Sequence, residues 1–119
     1  MPGQLTTHVL DTVQGRPALA IEIQLWRVDP LQGRVCLKTV ATGANGRTGD
    51  PLLSGEEMGV GVYELLFKVG AYFAQQGIKT PEPPFLDEVP LRFGIADPDA
   101  HYHVPLLVSP WAYSTYRGS

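Results

Sequence analysis

The feature that most constrains the fold is a repeated alternation of apolar and polar side chains, broken at short intervals by glycine and proline. Between Leu19 and Leu25, every odd-numbered residue is aliphatic, and Glu22 and Gln24 lie on the opposite side. A period of two residues is typical of a β-strand with one dry face and one wet face. The 13 glycines and 11 prolines supply turns between such strands. The chain is therefore predicted to be all-β.

Seven segments carry this alternation and are separated by turn sequences. The predicted strands are 6–13, 19–25, 35–38, 60–69, 89–95, 102–108 and 111–116, with at most a short further strand at Leu52-Leu53. The second and third are predicted to pair as a hairpin. One short helix is predicted over 70–76, ended by Gly77. Seven or eight short strands at this spacing favour an antiparallel β-sandwich.

Pro105 conflicts with the strand predicted over 102–108, because proline cannot donate a hydrogen bond to the ladder. The sequence leaves two explanations open. Either this strand lies at the edge of its sheet, or it carries a bulge at Pro105.

Length and composition bound the class of protein. A chain of 119 residues with 44% hydrophobic content fits one domain, 1–119, with its own core. The net charge is −3 and the basic residues form no stripe, so we expect no nucleic-acid partner. We find no apolar run that could span a bilayer and no leader at the start, so we expect no membrane partner. The single cysteine suits a reducing compartment, and a cytoplasmic location is expected.

The histidines mark the part of the surface that is most capable of chemistry. His8 and His103 each lie on the side of a predicted strand opposite its core-facing residues. If those two strands pair, both imidazoles lie on the outer face of one sheet, and Ser114 and Tyr116 can join them from the last strand. Two imidazoles can supply an acid and a base near neutral pH. Arg47, in the glycine-rich segment 42–55, could hold an anionic or carbonyl oxygen.

Plainer interpretations fit the same residues. The histidines can be solvated or structural, and Arg47 can be a solvated loop residue. His101 and His103 share a strand face, so a two-histidine metal clamp is geometrically possible, but no third ligand is evident. Cys36 has no histidine partner in the sequence, and it is interpreted as an incidental thiol.

Four segments match the pattern of a known family. They are residues 5–12 (LTTHVLDT), Gly46-Arg47 followed by Pro51-Leu52-Leu53, His103-Val104-Pro105-Leu106, and the terminal Tyr116-Arg117-Gly118-Ser119. Together they resemble the 5-hydroxyisourate hydrolases, the transthyretin-related enzymes of urate breakdown. The likeness covers essentially the whole chain, and the terminal tetrapeptide is its most specific part.

The resemblance implies a transthyretin-like antiparallel β-sandwich of two four-stranded sheets with one short α-helix. It implies a homotetramer, a dimer of dimers, with active sites in a channel between dimers. The sheet with the strands predicted over 6–13, 102–108 and 111–116 would line that channel. Since the strand over 102–108 then lies inside its sheet, the resemblance favours a bulge at Pro105. It requires no metal and no organic cofactor.

The resemblance also implies the site and the reaction. It assigns catalysis to His8, Arg47, His103 and Ser119, and substrate binding to Arg47, Ser114, Tyr116, Arg117, Gly118 and Ser119. Water would attack the C6 carbonyl of 5-hydroxyisourate and break the N1–C6 bond, giving 2-oxo-4-hydroxy-4-carboxy-5-ureidoimidazoline. One histidine would activate water, and the other would orient it or protonate the leaving nitrogen. The sequence does not assign these two roles.

A binding protein is the alternative from a different class. A transthyretin-type carrier would hold thyroid hormone, or another small aromatic ligand, in the same channel without catalysis. Such carriers have other residues at the positions of His8 and His103 and lack the Tyr-Arg-Gly-Ser ending. Both features favour the enzyme.

Overall fold

The computed structural model describes residues 2–118, within which nine strands, one α-helix and one 3-10 turn are found. The strands are β1 (Gln4–Asp11), β2 (Arg16–Pro17), β3 (Glu22–Asp29), β4 (Gly33–Ala41), β5 (Leu53–Ser54), β6 (Gly61–Lys68), β7 (Glu88–Ile95), β8 (His101–Val108) and β9 (Tyr113–Thr115). The helix α1 (Val69–Gln75) follows β6 directly, and the 3-10 turn (Gly55–Glu57) follows β5. No helix in the described part of the chain has the length and hydropathy of a membrane span.

The strands form two sheets that share one core. The first sheet has the order β2-β1-β8-β9, with β5 also paired to β1, and the second has the order β4-β3-β6-β7. The predicted β-sandwich with one short α-helix is therefore confirmed, as is the hairpin of β3 and β4. Two details differ: the first sheet has five strands, and β1 pairs with β8 in parallel. These two strands come from opposite ends of the chain, so no short turn forces them to be antiparallel.

Side-chain alternation places the core between the sheets. In β1, Leu5, Thr7, Val9 and Asp11 are buried, whereas the residues between them are half-exposed. In β8, Val104, Leu106 and Val108, which lie opposite His103 in the strand alternation, are likewise buried. The largest fully buried side chains of the second sheet are Ile23, Leu25, Tyr63, Leu65, Phe67 and Ile95. Burial of each such side chain contributes about 1.5–3 kcal/mol.

The strand predicted from Leu19 begins later, at Glu22. Ala20 has a φ of 62°, which turns the backbone away from an extended path. Leu19 is consequently 52% exposed. Hydrogen bonds fix this corner: the Thr42 hydroxyl accepts from the amide of Ile21 at 3.0 Å and donates to the carbonyl of Ala18 at 2.7 Å. A distant threonine therefore determines where the strand begins.

Pro105 lies in a central strand, as the resemblance implied, but the predicted bulge is absent. The register of β8 with β1 continues unbroken through Pro105. On its other side β8 pairs with β9 from Val108 to Leu106, which lies opposite Thr115. The pairing is then interrupted, and the next contact is the isolated bridge of His103 with Gly118. Proline has no N–H, so the ladder is interrupted rather than bulged. The Thr115 hydroxyl donates to the Pro105 carbonyl at 2.7 Å across this gap.

Asp11 is a buried carboxylate that ties the end of β1 to α1. It accepts hydrogen bonds from the amides of Val13 and Gln14, both at 2.9 Å, and from the Tyr72 hydroxyl at 2.7 Å. Burial alone would raise the pKa of Asp11, but the hydrogen bonds from Gln14 and Tyr72 lower it below its ordinary value. Burial and the bond to Asp11 raise the pKa of Tyr72. The carboxylate therefore stays charged inside the fold.

Tyr72→Phe is expected to lower the free energy of unfolding by about 1.5–3 kcal/mol, because it removes a donor to a buried charge. Since the pKa of Asp11 is lowered in the fold, its stabilisation is present above the unfolded pKa of about 3.9 and is lost as the pH falls through the folded pKa. Urea denaturation between pH 3 and 7 measures both effects. Tyr113→Phe, which changes an exposed tyrosine, is the control. Equal stability of the two variants would contradict the anchoring role.

Candidate active site

The pairing of β1 with β8 brings two histidines together on the outer face of the first sheet. Thr6 lies opposite His103, and His8 lies opposite Pro105. A rise of about 3.3 Å per residue and a strand spacing of about 4.8 Å put the Cα atoms of His8 and His103 about 8 Å apart. Both side chains are half-buried. The predicted pairing of these two strands is confirmed.

Thr6 stands between two imidazoles. Its Oγ1 lies 2.8 Å from Nδ1 of His103 and 3.2 Å from Nε2 of His101. The sequence alone gave Thr6 no function, because its partner across the sheet depends on the strand register. The possible metal clamp of His101 and His103 is not supported by a third ligand: no group of three metal-binding side chains lies together within residues 2–118.

The loop between β4 and β5 carries Arg47 to the histidines. Its backbone runs along the edge of β1 between the short strands β2 and β5, where the Gly46 carbonyl accepts a hydrogen bond from the Val9 amide at 2.9 Å. Gly46 has a φ of 76°, and a Cβ there would lie 2.5 Å from the Val9 carbonyl oxygen and 3.1 Å from Cδ2 of His8. Only glycine allows this approach. The exposed Arg47 side chain follows directly.

Burial and the charge of Arg47 control the protonation of both histidines. Burial is the largest cause of the lowered pKa of His8, and the Arg47 charge is the second; a hydrogen bond to the backbone of Asn45 opposes them. The pKa of His103 is also lowered, first by burial and then by Arg47, His8 and His101. Both imidazoles therefore remain neutral to a lower pH than an ordinary histidine. A neutral imidazole can accept a proton from water near pH 7.

A cavity of about 210 Å³ opens between the loop and β1. It is lined by Arg47, Thr6, Gln4 and Pro51, among others. A guanidinium at such a site can hold a carbonyl oxygen or an oxyanion through its fixed set of N–H donors. Thr6, which lines this cavity, also contacts His103, so two imidazoles of lowered pKa and one permanent cation share this face.

The C-terminal segment returns along β8 and packs on His103. The Gly118 amide donates to the His103 carbonyl at 2.7 Å. Arg117 donates to the His101 carbonyl at 3.2 Å, and its guanidinium carbon lies 4.2 Å from the centre of the Tyr102 ring. Ser119, which was predicted to be catalytic, lies outside the described residues.

The other predicted binding residues are more peripheral. Ser114 lies opposite Leu107 in the β8–β9 pair and is exposed on the face that carries His103. Tyr116 is exposed, and with Arg117 it borders a cavity of about 630 Å³ near the β7 and β9 edges of the sandwich. The structure thus brings His8, Arg47, His103 and Gly118 together, with Ser114 on the same face. Binding roles for Ser114, Tyr116 and Arg117 stay predictions.

Gly118→Ala is expected to lower activity without unfolding the protein. The added Cβ would lie 2.6 Å from Cδ2 of His103, so either the ring or the terminal segment must move. A displacement of about 1 Å at a reacting group costs about 100-fold in rate. Gly59→Ala is the matched control, because a Cβ at Gly59 makes only ordinary van der Waals contacts of 3.4 Å or more. Steady-state kinetics of the two variants compare the effects, and an unchanged kcat in Gly118→Ala would contradict close packing on His103.

The two-sheet β-sandwich has the fold of solved transthyretins, and it carries two imidazoles and a guanidinium on the outer face of one sheet. A model of the HIUase/Transthyretin family matches residues 5–118. The chain belongs to this family.

Individual relatives agree with the family assignment. The chain is 58% identical over 117 residues to a 5-hydroxyisourate hydrolase of Mesorhizobium japonicum, covering 98% of this chain and 93% of the relative. It is 56% identical to 5-hydroxyisourate hydrolase 2 of Rhizobium meliloti, with coverage of 98% and 97%. A crystal structure of an (S)-allantoin synthase has a TM-score of 0.94 at 52% identity; the match covers 99% of this chain but 44% of that one. Sea bream transthyretin in complex with thyroxine has a TM-score of 0.85 at 30% identity, with coverage of 97% and 94%.

Proposed function

We propose that this protein is a 5-hydroxyisourate hydrolase, an enzyme that opens a cyclic amide with water. The convergence of His8, His103 and Arg47 on one face carries the proposal, because amide hydrolysis needs a base, a proton donor and an oxyanion partner. Relatives with more than half of their residues identical carry that name. We place this activity in the single domain of residues 1–119.

The geometry supports a two-stage ring opening. One neutral imidazole removes a proton from water as its oxygen adds to the C6 carbonyl of 5-hydroxyisourate. Arg47 binds the carbonyl oxygen while negative charge develops on it. The C6–N1 bond then breaks; the second imidazole delivers a proton to N1 and regains one from the imidazolium formed in the first stage, so the proton removed from water ends on N1. The product is the ring-opened carboxylate, 2-oxo-4-hydroxy-4-carboxy-5-ureidoimidazoline. Ser119 and the neighbouring Tyr116, Arg117 and Gly118 would close the pocket around the substrate, with Ser114 beside them.

The pH dependence of kcat/KM is expected to show an acid limb below pH 6.5. The pKa of both His8 and His103 is lowered from that value, and the base must be neutral to act. Activity is therefore full above the lowered pKa and is lost as the pH falls through it. Rate measurements between pH 5 and 8 give the position of this limb. A limb centred above pH 6.5 would contradict the assignment of either histidine as the base.

We also propose the homotetramer, a dimer of dimers, as the active form. β7 and β9 are the edge strands of the two sheets at neighbouring borders of the sandwich, and all three residues of β9 are exposed. Phe85 stacks on Trp111 with ring centres 5.7 Å apart, and both are exposed. Unpaired edges and exposed aromatic rings favour edge-to-edge association of copies. Sedimentation with parallel assays tests this proposal: activity should fall as the protein dissociates, and a fully active monomer would refute a site shared between subunits.

A transthyretin-type carrier is the second candidate, favoured by the fold shared with the thyroxine complex. Binding alone does not need two neutral imidazoles beside a cation.

We place the protein in the cytoplasm, a location supported by the exposed free thiol of Cys36.

Isotope incorporation separates the enzyme from the carrier. Uricase generates 5-hydroxyisourate in water enriched in oxygen-18, and mass spectrometry follows the product with and without the protein. Catalysed attack at C6 should place one labelled oxygen in the new carboxylate at an accelerated rate. Thyroxine binding without accelerated labelling would favour the carrier and overturn the proposed enzyme.

A further inference from the structure

The Thr6 hydroxyl is the contact that the proposed mechanism leaves unused. Within residues 2–118 its hydrogen-bond partners are Nδ1 of His103 at 2.8 Å and Nε2 of His101 at 3.2 Å. A hydroxyl has one proton, so it can donate to only one of these two nitrogens. If both contacts are hydrogen bonds, the nitrogen to which Thr6 does not donate must carry its own proton and donate it to the hydroxyl oxygen.

The two distances indicate the direction of the protons. Hydrogen bonds that a hydroxyl donates to oxygen span about 2.5–3.0 Å, whereas those that an N–H donates to oxygen extend to about 3.2 Å. The shorter contact therefore fits donation by Thr6 to His103 Nδ1. The longer one fits donation by His101 Nε2–H to Thr6. In this arrangement the hydroxyl uses its proton and one lone pair.

We infer that Thr6 is a positioning residue that holds neutral His103 as the tautomer protonated on Nε2, with His101 as the group that orients the hydroxyl. A neutral imidazole has one N–H, so a Nδ1 that accepts from Thr6 leaves the proton on Nε2. Nε2 is the ring nitrogen that Thr6 does not hold. His103 therefore presents an N–H to the site.

This inference deepens the proposed function and depends on it for its catalytic meaning. In this tautomer His103 donates from Nε2, and its one lone pair, on Nδ1, is bonded to Thr6, so it cannot take a proton from water in the site. His8 is then the base, and His103 serves the oxyanion or the leaving nitrogen. Among residues 2–118, the charged or titratable groups around His103 are Arg47, His8, His101 and the nearby Arg117.

Nitrogen-15 NMR of the imidazoles tests the tautomer without substrate. In the full-length protein above pH 7, His103 Nδ1 should appear unprotonated and hydrogen-bonded, with the proton on Nε2. Thr6→Val should shift Nδ1 towards a free acceptor nitrogen and raise the pH at which His103 protonates, because a bond to the neutral form is lost. Thr6→Ser should restore both values. Thr39→Val, the same change at an exposed site on β4, should alter neither.

Kinetics of the same variants give the functional effect. Thr6→Val should lower kcat by about 10- to 100-fold with little change in KM, and Thr6→Ser should recover most of the rate. His101→Leu, which removes the N–H donated to Thr6, should give a smaller loss. A proton on Nδ1 of His103, or an Nδ1 resonance insensitive to Thr6→Val, would overturn the inference even in an active enzyme. An inactive wild-type protein with the expected spectra would instead overturn the proposed function alone.

Discussion

Replacing His103 by asparagine is expected to lower kcat for 5-hydroxyisourate by about 10²- to 10⁴-fold, the usual contribution of a positioned acid or base. His103 is only half-buried on the outer face, so its loss leaves the core intact. The asparagine amide lies near the position of Nδ1 and can still contact Thr6, but it cannot transfer a proton to N1. The expected result is therefore a folded protein with nearly unchanged KM and a much lower maximal rate.

A paired variant separates proton transfer from hydrogen bonding. In His103→Gln the amide reaches closer to the position of Nε2, so it can donate a hydrogen bond into the site without giving up a proton. If His103 acts by proton transfer, both variants should be slow; if it acts only as a hydrogen-bond donor, His103→Gln should recover most of the rate. Thermal denaturation of both proteins checks the fold. A His103→Asn protein with a near-normal kcat would remove His103 from the mechanism.

Arg47→Ala is expected to lower kcat/KM by about 10²- to 10³-fold, the effect of deleting one donor to a developing oxyanion. It should also move the acid limb of the pH profile. The Arg47 charge lowers the pKa of both His8 and His103, so its removal raises both values and shifts the limb to higher pH. Steady-state rates across the pH range measure both effects in one experiment.

Arg47→Lys distinguishes charge from geometry. It keeps the cation, so the acid limb should stay near its wild-type position, but it loses the planar set of donors, so kcat/KM should still fall. Arg27→Lys, on β3 of the other sheet, is the matched control and should have the wild-type rate. An Arg47→Ala protein with an unshifted pH profile would show that the loop does not hold the charge beside the histidines.

Local patterns in the sequence predict those parts of the fold that depend on burial. The alternation in β1 and β8 follows from which side chains enter the core, and it correctly predicts that His8 and His103 face outward. The helix end at Gly77 is also local, since its φ of 75° suits glycine. The family resemblance was needed to predict that the strands over 6–13 and 102–108 lie in the same sheet.

Long-range features escaped prediction because the sequence does not state the register. Thr6 gains its significance only from the parallel pairing that puts it opposite His103. The late start of β3 depends on Thr42, about 20 residues away in sequence. At Pro105 the missing N–H was recognised, but whether the ladder would bulge or break depended on the neighbouring chain, where the Thr115 hydroxyl spans the gap.

The decay of the ultraviolet absorbance of uricase-generated 5-hydroxyisourate measures most directly whether the His8, Arg47 and His103 face hydrolyses this compound. The wild-type protein should accelerate the decay in proportion to its concentration, and the folded double variant His103→Asn/Arg47→Ala should return it close to the spontaneous rate. Spontaneous decay in the presence of folded, assembled wild-type protein would contradict the hydrolase.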